Sequence, residues 1–132
     1  MPLTVPQPAL TQAVTPAESR IVTASLRGAR IPIECPTWCT ISHAAVDLAH
    51  IEDLEHEGTP VSIRIGCEER VMQVSLNQWP FSRQPEPHLA VEATYDSETE
   101  ALPPAAALAF ADQLAAHADT IRRLAATLGG AA

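Results

Sequence analysis

The chain contains no lysine, because all eight of its cationic side chains are arginines. Schiff-base catalysis and the phosphate-binding loop both need a lysine amine, so both are excluded. Only five glycines occur, and none forms a G-x-G pair, which removes the dinucleotide-binding fingerprint. Any chemistry in this chain must therefore come from other side chains.

Aromatic residues are also scarce: they make up 4% of the 132 residues, although 46% of the chain is hydrophobic. The core must then be thin and built from Val, Ile, Leu and Ala, so a covalent or metal crosslink would matter. The length predicts one domain, which we place at residues 19–130. Residues 1–18 are rich in proline and lack periodicity, so they are predicted to form a disordered arm.

The formal net charge is −8, and Arg20, Arg27 and Arg30 form the only loose basic grouping, interpreted as solvated positions around one strand. Nucleic acid is therefore an unlikely partner, because binding it requires a basic surface. No membrane-spanning run or signal-peptide pattern is present, so we predict a cytoplasmic protein. Its three cysteines are then metal ligands or free thiols. The expected partner is another protein or a second copy of the chain.

Alternation of apolar and polar residues predicts four strands, over residues 21–27, 61–65, 71–76 and 88–95. A helix is predicted over residues 103–128 from an apolar stripe at helical spacing, formed by Leu108, Ala111, Leu114, Ala118, Ile121, Ala125 and Leu128. Clean alternation favours an antiparallel sheet with one buried face, which the helix would cover. The predicted fold is α+β, with an antiparallel sheet of about four strands packed on one C-terminal helix.

Residues 31–58, between the first two predicted strands, contain the residues with the clearest metal-binding potential. Cys35 and Cys39 are four residues apart, and His43 follows four residues later. Zinc sites use such short spacings, and soft thiolates with imidazole favour zinc over magnesium or calcium. The segment is therefore predicted to be a zinc-stapled loop.

A tetrahedral zinc ion needs a fourth donor, and His50 and His56 compete for this role. If residues 43–54 form a helix, His43 and His50 lie about 10 Å apart along its axis, too far for one ion to bridge. His56 precedes Glu57-Gly58, where the chain can turn back toward the cysteines. We predict Cys35, Cys39, His43 and His56 as ligands, with His50 in reserve.

Two neighbours are predicted to support the ligands from outside the coordination sphere. Pro36 fixes the backbone φ angle directly after the first ligand. Trp38 lies between the two cysteines in sequence, where its indole could cover the thiolates and exclude water. Both residues are therefore included in the predicted site.

The strings CPTWCTISH and HEGTPVSIRI resemble a family of small actinobacterial proteins of unknown function, marked by C-P-x-W-C-x-x-x-H and a later His-x-Gly before a strand. The resemblance covers approximately residues 31–128. It implies that Cys35, Cys39, His43 and His56 fall on the family pattern and that His50 falls in its variable spacer. It implies no activity.

These residues support three functional hypotheses. The first is a non-enzymatic accessory or protein-interaction domain in which zinc has a structural role, since four protein ligands leave no open position. The second is a zinc hydrolase with three protein ligands, in which His50 or Glu55 would act on a metal-bound water. The third, a zinc finger that binds DNA, lacks a basic surface. No catalytic residue is predicted under the first hypothesis.

Overall fold

The computed structural model describes residues 18–67 and 69–129. Its elements are β1 (Ser19–Leu26), β2 (Ala29–Pro36), β3 (Asp47–Leu48), β4 (His56–Glu57), β5 (Val61–Ile65), β6 (Glu69–Gln78), β7 (His88–Thr94), β8 (Thr99–Leu102) and α1 (Pro104–Thr127). The fold is α+β with one C-terminal helix, so the predicted class is confirmed. Apart from Glu18, the predicted disordered arm lies outside the described residues.

The first sheet has the strand order β2-β1-β3. β1 and β2 pair in antiparallel fashion and are joined by Arg27-Gly28, whose φ angles are 49° and 79°. Two consecutive residues with positive φ form the tight hairpin turn whose twist matches that of the strands. β3 pairs with β1 in parallel, which brings the chain after Cys39 back across this hairpin.

β2 lies inside the segment that was predicted to be a loop, and this prediction was wrong for residues 31–36. Ile31, Ile33 and Cys35 do alternate, but Pro32 and Pro36 interrupt the polar positions. Because β2 is the edge strand of its sheet, a proline can occupy it without breaking a ladder between two neighbours. The segment without long regular structure is therefore shorter than predicted.

The second sheet has the order β4-β6-β7-β8, and β5 also pairs with β6. All of its pairings are antiparallel. The strands predicted near residues 61, 71 and 88 correspond to β5, β6 and β7. With β2, β3, β4 and β8 the described chain has eight strands rather than about four, and three of the additional strands have only two to four residues. Alternation over so few residues gives no usable signal.

Few apolar residues are buried within residues 18–67 and 69–129. Ala24, Ile33 and Leu54 form the core beneath the first sheet, whereas Ala90 and Val91 are the buried apolar residues of the second. α1 contacts mainly β7 and β8, and it has no fully buried residue. With 24 residues it is about 36 Å long, far longer than the width of two strands. The predicted packing of helix on sheet is therefore only partial.

Candidate metal centre

Four buried side chains converge between the two sheets: Cys35, Cys39, His43 and His56. Their candidate ligand atoms all lie within 4.8 Å of one another. Cys35 is near the end of β2, whereas Cys39 and His43 belong to the segment that follows it. His56 is in β4, which pairs with β6. The cluster therefore joins the first sheet to the second, rather than only closing a loop on itself.

Local hydrogen bonds explain why the cysteines come together. The Cys39 backbone N–H donates to the Pro36 carbonyl at 3.0 Å and closes a turn directly after β2. The Thr40 N–H then donates to the Glu57 carbonyl at 2.9 Å, which holds this turn against β4. The turn after β2 and strand β4 are thereby held together, and each contributes donors to the cluster.

The distances within the cluster suit a tetrahedral ion. His43 Nε2 lies 3.6 Å from Cys35 Sγ and 3.6 Å from Cys39 Sγ. Zinc bonds of about 2.3 Å to sulfur and about 2.0 Å to nitrogen place the two ligand atoms about 3.5 Å apart at the tetrahedral angle. A neutral imidazole nitrogen has one lone pair and cannot accept a full hydrogen bond from each of two thiols. A shared cation satisfies all three atoms at once.

His56 provides a second indication of a metal ligand. Its side chain is 1% exposed, and its Nδ1 atom is buried without a hydrogen-bond partner. The Glu34 backbone hydrogen-bonds the same ring and acts against burial by raising the pKa of His56. Ligating histidines typically donate their second ring N–H to such a backbone carbonyl. An unpaired buried nitrogen is costly, and a bound ion removes that cost.

The electrostatics of the cluster favour neutral side chains when no ion is bound. Burial, and then the neighbouring Cys39, raises the pKa of Cys35 to about 11. Burial lowers the pKa of His56 to about 4, with a further contribution from His43. The pKa of His43 is also lowered, mainly by burial and then by the Arg20 charge. Neutral imidazoles are ready to bind a metal, whereas each thiol must release its proton on binding.

Arg20 is exposed, as predicted for a solvated position on β1, and it also lies beside the cluster. It pairs with Cys35 across β1 and β2, and its positive charge offsets part of the rise that burial and Cys39 cause in the pKa of the Cys35 thiol. Arg20 therefore favours the thiolate that a metal requires.

Trp38 lies beside His56, with ring centroids 6.5 Å apart in an edge-on arrangement. Gly58 makes this position possible, since a Cβ atom there would lie 3.2 Å from the Trp38 carbonyl oxygen and 3.6 Å from its ring. Pro36 contributes its carbonyl to the turn at Cys39. Both predicted supporting residues thus lie at the cluster. Gly58 is a third residue beside it that was not predicted to belong to the site.

The remaining candidates lie elsewhere. Residues 43–54 form two short 3-10 turns, His43–Ala45 and Ile51–Asp53, with β3 between them, rather than one helix. His50 is exposed and outside the cluster. Glu55 accepts a hydrogen bond from the Asn77 amide, and burial raises its pKa, as does the charge of Glu57. Cys67 is exposed and free.

An α+β fold with a buried Cys2His2 cluster between its two sheets defines the class of this domain. Residues 14–130 match the family model of a domain of unknown function, DUF6907, and the chain belongs to this family. No match was found among curated proteins or among solved structures. Within the described ranges no helix is both long enough and apolar enough to cross a membrane.

Proposed function

We propose that this chain is a non-enzymatic interaction domain stabilised by one structural zinc ion held by Cys35, Cys39, His43 and His56. The observation that carries the proposal is the complete set of four buried donors within 4.8 Å of one another. Two thiolates and two imidazoles neutralise the ion and suit zinc better than magnesium or calcium, which take oxygen ligands. Bound zinc would supply a crosslink between the two sheets.

A structural role is favoured over hydrolysis because four protein ligands leave no coordination position for water. The hydrolase hypothesis requires His50 or Glu55 to act beside the metal. His50 is exposed outside the cluster, and the Glu55 carboxylate is already bound by Asn77. Neither side chain supports a water-activating role.

The proposed partner is a protein, not nucleic acid or a membrane. The net charge of −8 opposes binding to phosphate backbones. Several large apolar side chains remain exposed on α1 and on the second sheet, as expected of a surface that another protein covers. We place the protein in the cytoplasm, where its free cysteines would stay reduced.

Metal analysis of the purified protein tests the proposal directly. We expect one zinc ion per chain, and we expect chelation to lower the melting temperature by about 15 °C or more, because metal binding is coupled to folding. Substitution with cobalt should give the spectrum of a tetrahedral thiolate site that added anions leave unchanged. Absence of metal, or an unchanged melting temperature after chelation, would refute the structural role. A spectrum altered by anions would favour the hydrolase.

A further inference from the structure

The apolar face of α1 continues beyond the part of the helix that its own sheet covers. Ala107, Leu114, Ile121 and Leu128 recur every seven residues, which is two helical turns and places them on one face. Ala107 and Leu114 are partly buried, whereas Ile121 is 55% exposed and Leu128 is 83% exposed. Leu124, beside them, is 61% exposed. We call Ile121, Leu124 and Leu128 the helix-end stripe.

One side of the second sheet also exposes aliphatic side chains, which could pack against those of the helix-end stripe. Its register places Val61, Val74 and Val91 on one side, and the same side carries Leu76 next to Leu89. The other side is a polar groove lined by residues such as Ser75, Asn77 and Glu92. Val91 is buried, but Val61 is 64% exposed and Leu76 is 42% exposed. We call Val61 and Leu76 the sheet strip.

We propose that the helix-end stripe of one copy packs on the sheet strip of a second copy, and that the contact is reciprocal. A second copy is the partner of choice because α1 already packs along β7 and β8 of its own sheet within one chain, and Val91, on the apolar side of β7, is buried. The new contact would continue this interface onto β6 and β5 of the other copy. Such a two-fold contact uses the same surfaces on both copies and closes on itself.

The available area is sufficient for a dimer of modest affinity. A fully buried aliphatic side chain removes roughly 60–120 Å² of apolar surface from water. The stripe and the strip together offer five such side chains per copy, hence about 300–600 Å². A standard interface buries about 800 Å² per partner, of which a little over half is apolar. We therefore expect a dissociation constant in the micromolar range, where the dimer depends on protein concentration.

Charge predicts how salt should act on this dimer. Each copy carries a formal net charge of −8, so two copies repel each other, while the stripe and the strip contain no charged residue. Added salt screens the repulsion, and the dimer should become tighter from 0.05 M to 0.5 M salt. A partner held by charge would show the opposite dependence. Salt thus separates self-association through apolar surfaces from an electrostatic contact.

Sedimentation equilibrium of the full, zinc-loaded chain tests the inference. We expect the wild type to shift from monomer to dimer between about 1 and 100 μM. Ile121→Glu, in the stripe, and Val61→Glu, in the strip, should each weaken the dimer at least tenfold. The sequence pattern grouped Leu108 with Ile121, but Leu108 is 70% exposed and lies about 140° away from Ile121 around the helix. Leu108→Glu is therefore the matched control. The dissociation constant of its dimer should equal that of the wild type. Circular dichroism and zinc content should be unchanged in all three variants.

Mixing the two interface variants sharpens the test. Each heterodimer of Ile121→Glu with Val61→Glu retains one intact stripe-on-strip contact, so the mixture should dimerise more strongly than either variant alone. A wild type that stays monomeric at 100 μM, or a dimer that Ile121→Glu leaves intact, would overturn the inference. Loss of the dimer in Ile121→Glu but not in Val61→Glu would also overturn it, since the helices would then pair with each other.

This inference deepens the interaction role proposed above, and it rests on that proposal for the view that the exposed apolar surfaces bind protein. Its failure is nevertheless distinguishable. A zinc-loaded monomer would refute the second copy as partner and leave the structural metal in place. A dimer without metal would refute the zinc proposal alone.

Discussion

The two sheets of this chain are stabilised by different means. The first sheet encloses an apolar core of Ala24, Ile33 and Leu54 and borders the buried Cys2His2 cluster. The second sheet has two buried apolar residues, a polar groove on one side and a helix that covers the other side only in part. In a chain poor in aromatics, one sheet can thus bury its apolar residues within the chain while the other sheet leaves apolar side chains exposed.

His56 connects the two regions, because it belongs to the second sheet and lies among donors that follow the first. If the proposed ion is bound there, the stability of each region depends on the other through the metal. Substitutions in each region test this difference between the two sheets.

The largest effect is expected for Cys35→Ser, which removes a buried thiolate donor from the cluster. We expect loss of stoichiometric zinc and a fall in the free energy of unfolding of about 4 kcal/mol or more, the range typical of losing a structural metal. Zinc content per chain and thermal melting measure both. Cys67→Ser is the matched control, since Cys67 is exposed and outside the cluster. Equal zinc content in the two variants would contradict the proposed ligand set.

Removing a ligand histidine should resemble removing a cysteine, with a smaller loss of affinity. His56→Gln keeps a polar side chain of similar size but loses the imidazole nitrogen that lies unpaired in the cluster. We expect zinc to bind at least about a hundredfold more weakly in a competition titration with a chelator. His50→Gln, at an exposed histidine six residues earlier, should bind as the wild type does. If His50→Gln bound zinc more weakly than the wild type, His50 rather than His56 would be favoured as the fourth ligand.

Truncation of the apolar core compares the two sheets directly. Leu54 is 1% exposed in the core beneath the first sheet, and Leu54→Ala should cost about 2–5 kcal/mol in urea unfolding. Val91→Ala in the second sheet should cost about 1–2 kcal/mol, because fewer buried neighbours surround it. A greater loss at Val91 would show that the second sheet carries the main core.

Gly58→Ala tests the close contact between the sheets next to the cluster. The added Cβ atom would lie 3.2 Å from the Trp38 carbonyl oxygen, so the backbone at Trp38 must shift by a few tenths of an ångström. Overpacking of this kind costs about 1–3 kcal/mol. We expect a lower melting temperature with zinc content retained. An unchanged melting temperature would contradict a close contact between Gly58 and Trp38.

The smallest effect is expected at Asp47, which is exposed and pairs with Ser25 near the hairpin end of β1. The Ser25 hydroxyl and then the Gly28 N–H hold the pKa of Asp47 below its ordinary value. A carboxyl with a depressed pKa stabilises the fold above its unfolded pKa, and this contribution is lost as the pH falls through the folded pKa. The melting temperature of Asp47→Ala should therefore approach that of the wild type as the solution is acidified. A difference that grows in acid would contradict the assignment.

Much of the cluster could be predicted from the sequence because its donors are local. The spacing of Cys35, Cys39 and His43 falls within nine residues, and a turn closed by the Pro36 carbonyl brings the sulfurs together. The prolines of β2 interrupt its alternating pattern, so the strand could not be predicted from the sequence. β3, β4 and β8 are too short to show a periodic pattern. Their positions depend on pairing with residues far away in the chain, which no local pattern records.

The chain by itself determined which side chains were available: two thiols and an imidazole at zinc spacing, alternating strands and one amphipathic helix. Tertiary structure decided that His56 meets these donors from the second sheet, that Arg20 stands beside Cys35, and that the helix covers its sheet only in part. The physical reason is range. Local spacing and periodicity follow from backbone geometry, whereas convergence and burial depend on which distant strands pair and how far each element extends over its neighbours.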